Sequence, residues 1–338
     1  MPKVTLTDGT SFNCEVTASV LAGALQERVA LEYSCRNGRC GICKTRLVSG
    51  ETTLLSDESS LTDAERAEGY VLTCCRSAMT DLELDTEALG GFADFMTKVV
   101  PARIDSLCRV NQNVLEVVLR TPPNNRLQFV PGQYVDVIGP DSIRRSYSIA
   151  NAPREDGKLV LYIRRVEGGQ LSDYWFNLAK VNDLLRLEGP LGTFGLRAKP
   201  QKSLVFLATG TGIAPIKAML ESLSVSVLER WFDNIFLYWG GRNRSDFFWT
   251  PKFPTLPVSY HPVVSRQADW PGKQGYVQHA LLADDISLEE ACVYACGSPA
   301  MIQAARLELA TFGFDLKNFY SDAFVSSDPM NSPLDKGK

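Results

Sequence analysis

The chain has 338 residues, of which 45% are hydrophobic and 22% charged, with a formal net charge of −4. This composition suits a globular protein of two or three domains and argues against an electropositive nucleic-acid surface. No apolar run approaches the roughly 18 residues of a membrane helix, and Met1-Pro2-Lys3-Val4-Thr5-Leu6 lacks the apolar core of a secretory leader, so a cytoplasmic protein is expected.

Residues 3–8 and 11–16 read as strands around the hairpin signal Asp8-Gly9-Thr10. A short helix carrying Val20, Leu21, Ala24 and Leu25 precedes a cluster of cysteines. Thr45 to Val48 read as a strand, and 57–69, rich in Asp, Glu and Ser, as an exposed loop with a short helix. Asp81 to Asp85 alternate as a half-buried strand does. A linker is placed at about 88–100, around Gly90-Gly91. Strands at 114–119, 134–138, 145–150, 159–166 and 184–188 follow, punctuated by Pro131-Gly132, Pro153 and Gly168-Gly169, and predict a small antiparallel barrel. After Pro200 the texture changes. An apolar strand at Leu204–Leu207, a glycine turn and a helix with Ile216, Met219, Leu220, Leu223 and Val227 on one face begin a βαβ unit. Strands at Ile235–Tyr238 and Cys292–Cys296 and a helix near 299–312 complete a doubly wound parallel sheet. The tail after Ser327 is expected to fray.

Nine cysteines in a reducing compartment suggest metal binding or redox chemistry rather than a disulfide framework. The spacing Cys35-x4-Cys40-x2-Cys43, with a fourth cysteine at 74 or 75, is that of a plant-type [2Fe–2S] cluster. Gly38 and Gly41 allow the loop to approach the cluster closely with its amides inward, and Arg36 and Arg39 add positive charge at its rim. Four zinc-binding cysteines are the alternative, although zinc knuckles usually pair their ligands. Cys14, Cys108 and Cys292 are read as buried thiols, and His261 and His279 as ordinary surface or loop residues.

These motifs together resemble the ferredoxin–NAD(P)H reductase superfamily, in the arrangement with the ferredoxin module first, over about residues 3–326. Gly69-Tyr70-Val71-Leu72-Thr73-Cys74 is similar to the family's last ligand segment, so the resemblance makes Cys35, Cys40, Cys43 and Cys74 the ligands. Arg145-Ser146-Tyr147-Ser148 matches the family's flavin motif, in which the arginine meets the FAD pyrophosphate, the tyrosine packs on the flavin–ribityl region and the last serine reaches the reactive edge. Gly168-Gly169-Gln170-Leu171-Ser172 resembles the family's phosphate-binding turn; Ile163 is also expected at the cofactor, and Gly189 to Phe194 close the barrel. Gly210-Thr211-Gly212-Ile213-Ala214-Pro215 and Tyr294-Ala295-Cys296-Gly297-Ser298-Pro299 are similar to the two nucleotide motifs, with Cys296-Gly297 beside the nicotinamide. Pro215 stands where a dinucleotide fingerprint has its third glycine, and suits a first helical turn. Ser321-Asp322-Ala323-Phe324 resembles the family's C-terminal segment, where an aromatic lies near the flavin. The resemblance thus implies Ser148, Cys296, Asp322 and Phe324 as catalytic residues.

The fold expected is a multidomain α+β chain. It comprises a β-grasp [2Fe–2S] ferredoxin domain over 1–88, an antiparallel β-barrel FAD domain over 98–198 and a doubly wound α/β NAD(P)-binding domain over 199–326. The implied chemistry takes hydride from NADH, or NADPH, onto FAD and passes single electrons through the cluster; such clusters sit near about −400 mV. Around Arg242, Arg244 and Asp246 both basic and acidic candidates stand where nucleotide choice is made. A narrower resemblance, in Arg144–Pro153, Leu72–Cys75 and Ser321–Val325, is to reductases that serve 3,6-dideoxyhexose synthesis. It implies a deoxyhexulose dehydrase as acceptor, with an oxygenase component of an aromatic-ring dioxygenase or soluble monooxygenase as the alternative. A redox-sensing regulator would need a DNA-binding or signalling segment that the sequence does not show. An inactive scaffold would not need to keep the flavin, nucleotide and cluster motifs together.

Overall fold

The computed structural model describes residues 1–197, 201–223, 232–284 and 286–325. They divide into two compact units, one of Met1–Thr97 with Pro190–Phe194, the other of Lys98–Gly189 and the chain from Gly195 onward.

In the first unit β1 (Lys3–Leu6) and β2 (Ser11–Asn13) pair antiparallel across a turn in which the Asp8 carboxylate accepts the Thr10 N–H at 2.9 Å. Helix α1 (Val20–Gln26) starts on Ser19, whose hydroxyl accepts the Ala22 N–H, and buries Val20, Leu21 and Ala24. Then come β3 (Lys44–Ser49), β4 (Thr52–Leu54), the short helix α2 (Asp63–Ala67), β5 (Tyr70–Leu72), β6 (Arg76–Ala78) and β7 (Leu82–Asp85). The sheet order is β2-β1-β7-β3-β5, with β1 and β7 parallel, the β-grasp arrangement. Leu82 and Leu84 are buried while Glu83 and Asp85 are exposed, so the alternation of β7 seats this strand on the core beside Val4, Leu6, Phe12 and Leu72. The acidic stretch expected to be an exposed loop holds one exception. Glu58 is buried, 2% exposed, because Arg76 neutralises it.

The second unit begins with β8 (Lys98–Asn111), β9 (Val114–Arg120), β10 (Tyr134–Ile138), β11 (Arg144–Ser148), β12 (Lys158–Arg164) and β13 (Leu184–Leu191). Their order is β11-β10-β13-β8-β9-β12, and a bridge between Ile149 and Leu161 joins the two ends into a barrel. The fourteen-residue β8 starts inside the stretch read as a linker. Pro101 lies within it, and a proline demotes any strand signal, although Val100, Ala102 and Ile104 alternate into the core. Helix α3 (Gln170–Asp173) widens into a π-helical turn over Tyr174–Leu178 and drives Leu171 and Trp175 into the barrel.

The same unit continues as a six-stranded sheet of β14 (Ser203–Thr209), β15 (Asn234–Gly241), β16 (Val258–Val264), β17 (Lys273–Gln274), β18 (Ala291–Gly297) and β19 (Phe319–Ala323). Its order is β17-β16-β15-β14-β18-β19 and every pair is parallel. Helices α4 (Ile213–Ser222), α5 (Val277–Leu282) and α6 (Pro299–Thr311) connect the strands. β14 and β18 read as continuous apolar runs because the sheet is covered on both of their faces. β16 and β19 escape sequence pattern, the first through Pro262 and the second through its polar Ser321-Asp322. Val227, expected on the α4 face, and the tail after Ser327 lie outside the described residues.

Two minor expectations change. Cys108 is exposed rather than buried, since its neighbours on β8 alternate past the end of the core, whereas Cys14 and Cys292 are buried. His261 is no loop residue; it sits in β16 stacked on buried Tyr238, ring centroids 4.7 Å apart. Among the described residues no helix is long and apolar enough to cross a membrane.

Candidate functional site

Cys35, Cys40 and Cys43 lie on the loop between α1 and β3, and Cys74 stands just after β5. The Cys43 and Cys74 sulfurs are 3.2 Å apart. The Cys40 N–H points at the Cys35 sulfur from 3.4 Å. The Cys40 side chain, followed by the main-chain N–H groups of Asn37, Cys40 and Arg39, draws the Cys35 thiol below the ordinary cysteine range despite burial. The sulfurs thus stand in two close pairs, Cys43 with Cys74 and Cys35 with Cys40, and main-chain N–H groups turn toward Cys35. Four cysteine sulfurs in this spacing are the donor set of a two-iron plant-type cluster. The Cys75 sulfur lies 3.5 Å from that of Cys74, but the residue is fully buried and its thiol donates to the Asp57 carbonyl at 3.4 Å.

The loop is held by contacts only glycine permits. Gly38 has φ 77°, and a Cβ there would collide with the Asp57 carbonyl and the Cys75 sulfur. Arg36 adopts φ 59° without that freedom, a strained conformation fixed by the loop. The Glu58 carboxylate accepts from the Leu72 N–H at 2.8 Å and from the Arg76 guanidinium at 2.7 and 3.0 Å, holding both residues that flank Cys74 by two positions. Removing one partner of such a buried pair costs about 3–5 kcal/mol. Glu58→Ala should therefore lower the temperature at which visible cluster absorbance is lost, while the flavin signal holds.

On β11 the side chains alternate. Arg145 and Tyr147 share one face; Arg144, Ser146 and Ser148 share the other. Arg144 pairs with Glu188 and, at 3.6 Å, with Asp136, and the Ser146 hydroxyl donates to Asp136 at 2.5 Å. The structure thus engages Ser146 in an ion-pair network rather than beside Arg145. Tyr147 meets Trp175 edge-to-face at 6.4 Å, and burial pushes its hydroxyl up to about 12. Gly168 and Gly169 lead into α3, whose start has no side-chain cap, so its first-turn amides are open to an anion. Leu171 and Ile163 are core residues, and the Ser172 hydroxyl accepts the Val166 N–H at 2.8 Å. The Leu171 and Ile163 side chains shape the turn, while the Ser172 hydroxyl keeps its own proton to donate.

The nucleotide turns meet at the carboxyl ends of β14 and β18, where the strand order reverses. Gly212 approaches the Cys296 carbonyl so closely that a Cβ would overlap it, and a Cβ at Gly297 would strike the Thr209 hydroxyl. The Cys296 thiol is fully buried, and burial followed by the neighbouring Asp322 carboxylate pushes its pKa well up, so it is a neutral thiol. Asp322 lies opposite Cys296 across the β18–β19 ladder, and the Phe324 N–H donates to the Gly297 carbonyl at 2.9 Å. Arg242 is exposed, and the Asp246 carboxylate accepts its N–H at 2.6 Å and that of Asn243 at 3.2 Å. Asp246 is therefore engaged within its own loop.

Three positions that the sequence did not single out brace the nucleotide turn and the chain beyond β11. The Trp239 indole N–H donates to the Gly210 carbonyl at 3.0 Å, bracing the glycine turn from β15. Losing about 1 kcal/mol from that bond should raise the KM for nicotinamide nucleotide in Trp239→Phe about fivefold, with kcat little changed. Lys217 on α4 donates to the Ala150 carbonyl at 2.8 Å, and Glu221 accepts the Ala152 N–H at 3.1 Å. The nucleotide helix thereby grips the chain just beyond Ser148. None of the three belongs to a glycine-rich or cysteine signature, so spacing offered no signal for them.

Three family models match in series: a 2Fe-2S iron-sulfur cluster binding domain over 4–79, an oxidoreductase FAD-binding domain over 101–195 and an oxidoreductase NAD-binding domain over 206–307. The chain is 40% identical to the CDP-6-deoxy-L-threo-D-glycero-4-hexulose-3-dehydrase reductase of Yersinia pseudotuberculosis, over 94% of this chain and 97% of that protein. It is 31% identical to a reductase component of terephthalate 1,2-dioxygenase from a Comamonas species, over 94% and 95%. Among solved structures, an Amycolatopsis cytochrome P450 reductase superposes with TM-score 0.76 at 27% identity, covering 97% of this chain and all of that one.

Proposed function

Since the chain belongs to the ferredoxin–NAD(P)H reductase family, in the arrangement with the 2Fe–2S module first, we propose that it reduces a CDP-6-deoxyhexulose dehydrase, as a CDP-6-deoxy-Δ3,4-glucoseen reductase does. It is an NAD(P)H-dependent oxidoreductase that binds FAD and a 2Fe–2S cluster and delivers electrons to a partner enzyme. When bound, FAD would supply the exchange between two-electron hydride chemistry and the one-electron cluster.

The chain's own residues supply position and electrostatics. The Arg145 guanidinium and the open amides after Gly169 suit a diphosphate. Tyr147, buttressed by Trp175, offers a ring face for the flavin. Gly210 to Gly212 and Cys296-Gly297 leave room for the nucleotide's main-chain approach. Cys296 stays protonated and compact at the nicotinamide end, with Asp322 beside it, and the Phe324 N–H ties the chain to the Gly297 carbonyl. Ser148, 7% exposed, offers a hydroxyl at the reactive edge. Cys35, Cys40, Cys43 and Cys74 would hold the cluster, which would supply one-electron transfer. NADH is the expected donor. The engaged Asp246 and the exposed Arg242 leave a site that tolerates a 2′-phosphate.

The observation that carries the choice of acceptor is the 40% identity, sustained over 97% of a dehydrase reductase, against 31% for a dioxygenase component. Stopped-flow mixing of the reduced protein with each candidate tests it. Rapid cluster reoxidation by the deoxyhexulose dehydrase with its substrate, and slow reoxidation by a terminal oxygenase, is the expected pattern. The reverse order would replace the dehydrase by the oxygenase.

A further inference from the structure

Beside the cluster loop one side chain has no role in the contacts so far described. Ser60 lies on the segment that runs under the loop between β4 and α2, and its hydroxyl oxygen is buried without a hydrogen-bond partner among the described residues. Its position is not loose. The Ser60 N–H donates to the Gly38 carbonyl at 3.1 Å, and the Ser59 hydroxyl approaches the same carbonyl at 3.4 Å. On its other side Leu61 is anchored in the core, 5% exposed, with its N–H on the Glu58 carbonyl. The segment is thus fixed against the loop at both ends of the serine.

The hydroxyl faces Gly41, the residue after Cys40. A Cβ built on Gly41 would stand 3.4 Å from the Ser60 oxygen, so the missing side chain leaves space next to the hydroxyl. A buried O–H with nothing to donate to is costly, and native proteins keep such groups where a ligand or ion completes them. The group this loop is built to hold is rich in anionic sulfur acceptors. We infer that the Ser60 hydroxyl donates a hydrogen bond to cluster sulfur, either the Cys40 thiolate or a bridging sulfide, and so sets the cluster's reduction potential. This inference rests on the cluster reading of Cys35, Cys40, Cys43 and Cys74. Hydrogen bonds to sulfur are among the factors that set cluster potentials. Reduction adds an electron to the cluster, so a donor there favours the reduced state.

Redox titration of the full-length holoprotein, followed by the EPR signal of the reduced cluster, tests the inference. Ser60→Ala should shift the cluster's one-electron equilibrium about three- to tenfold toward the oxidised state, a tenfold change being about 59 mV. The flavin potential in the same molecule should not move, and Ser60→Thr, which keeps the hydroxyl, should restore the native value. An unchanged potential in Ser60→Ala, or equal shifts in the alanine and threonine variants, would overturn the inference. If the alanine variant does not retain its cluster, the isosteric pair Ser60→Thr and Ser60→Val decides, because the two differ chiefly in the hydroxyl. Equal potentials in that pair would also overturn it. Native protein that binds no cluster at all would defeat the ligand reading itself, a result distinct from an unmoved potential.

Discussion

Cys74→Ser should abolish the broad visible bands and the EPR signal of the cluster and stop electron delivery to one-electron acceptors, while Cys75→Ser keeps both. The two cysteines are adjacent but their sulfurs serve different neighbours. The two sulfurs approach to 3.5 Å, but Cys74 also stands 3.2 Å from the Cys43 sulfur, whereas Cys75 is fully buried and donates to the Asp57 carbonyl. Changing a ligand should cost more than the roughly 10–100-fold that loss of an outer-shell partner costs. Reduction of ferricyanide by NADH, which draws on the flavin alone, should survive in both variants. Iron analysis, EPR and a cytochrome c assay read the outcome. A cluster lost from Cys75→Ser and kept in Cys74→Ser would exchange the two roles.

Gly212→Ala should weaken nucleotide-driven reduction of the flavin about ten- to hundredfold. The added Cβ would overlap the Cys296 carbonyl and press on the Gly297 amide, both main-chain atoms that cannot rotate aside. Overpacking of this kind costs about 1–3 kcal/mol, and each 1.4 kcal/mol is about tenfold. The strain falls on the contact between the two nucleotide turns, so KM for NADH should rise and the hydride step should slow. Chemical reduction by dithionite, which needs neither turn, should remain normal for flavin and cluster. A variant that binds and oxidises NADH like the native protein would show that the close approach of these turns is incidental.

Much of the architecture was legible because the groups with strict geometric demands leave strict spacings. A cluster wrapped by one loop forces Cys35-x4-Cys40-x2-Cys43, and close main-chain approach forces glycine at 38 and 212. Period-two alternation marked β7 and the continuous apolar runs marked β14 and β18. What escaped was held by tertiary contact. β8 hid behind Pro101, and Glu58 looked like part of a solvated acidic loop until Arg76 appeared beside it. Trp239 and Lys217 act on main-chain carbonyls distant in sequence, and Ser146 faces Asp136 because strand alternation turns it away from Arg145. None of these pairings has a period or a spacing to announce it.

Anaerobic titration of the purified holoprotein with NADH, followed by absorbance, tests the central claim most directly. Flavin bleaching accompanied by loss of the cluster bands, complete near about 1.5 equivalents because FAD stores two electrons and the cluster one, is the predicted result. Flavin that bleaches while the cluster stays oxidised indefinitely, or centres that no nicotinamide nucleotide reduces, would contradict it.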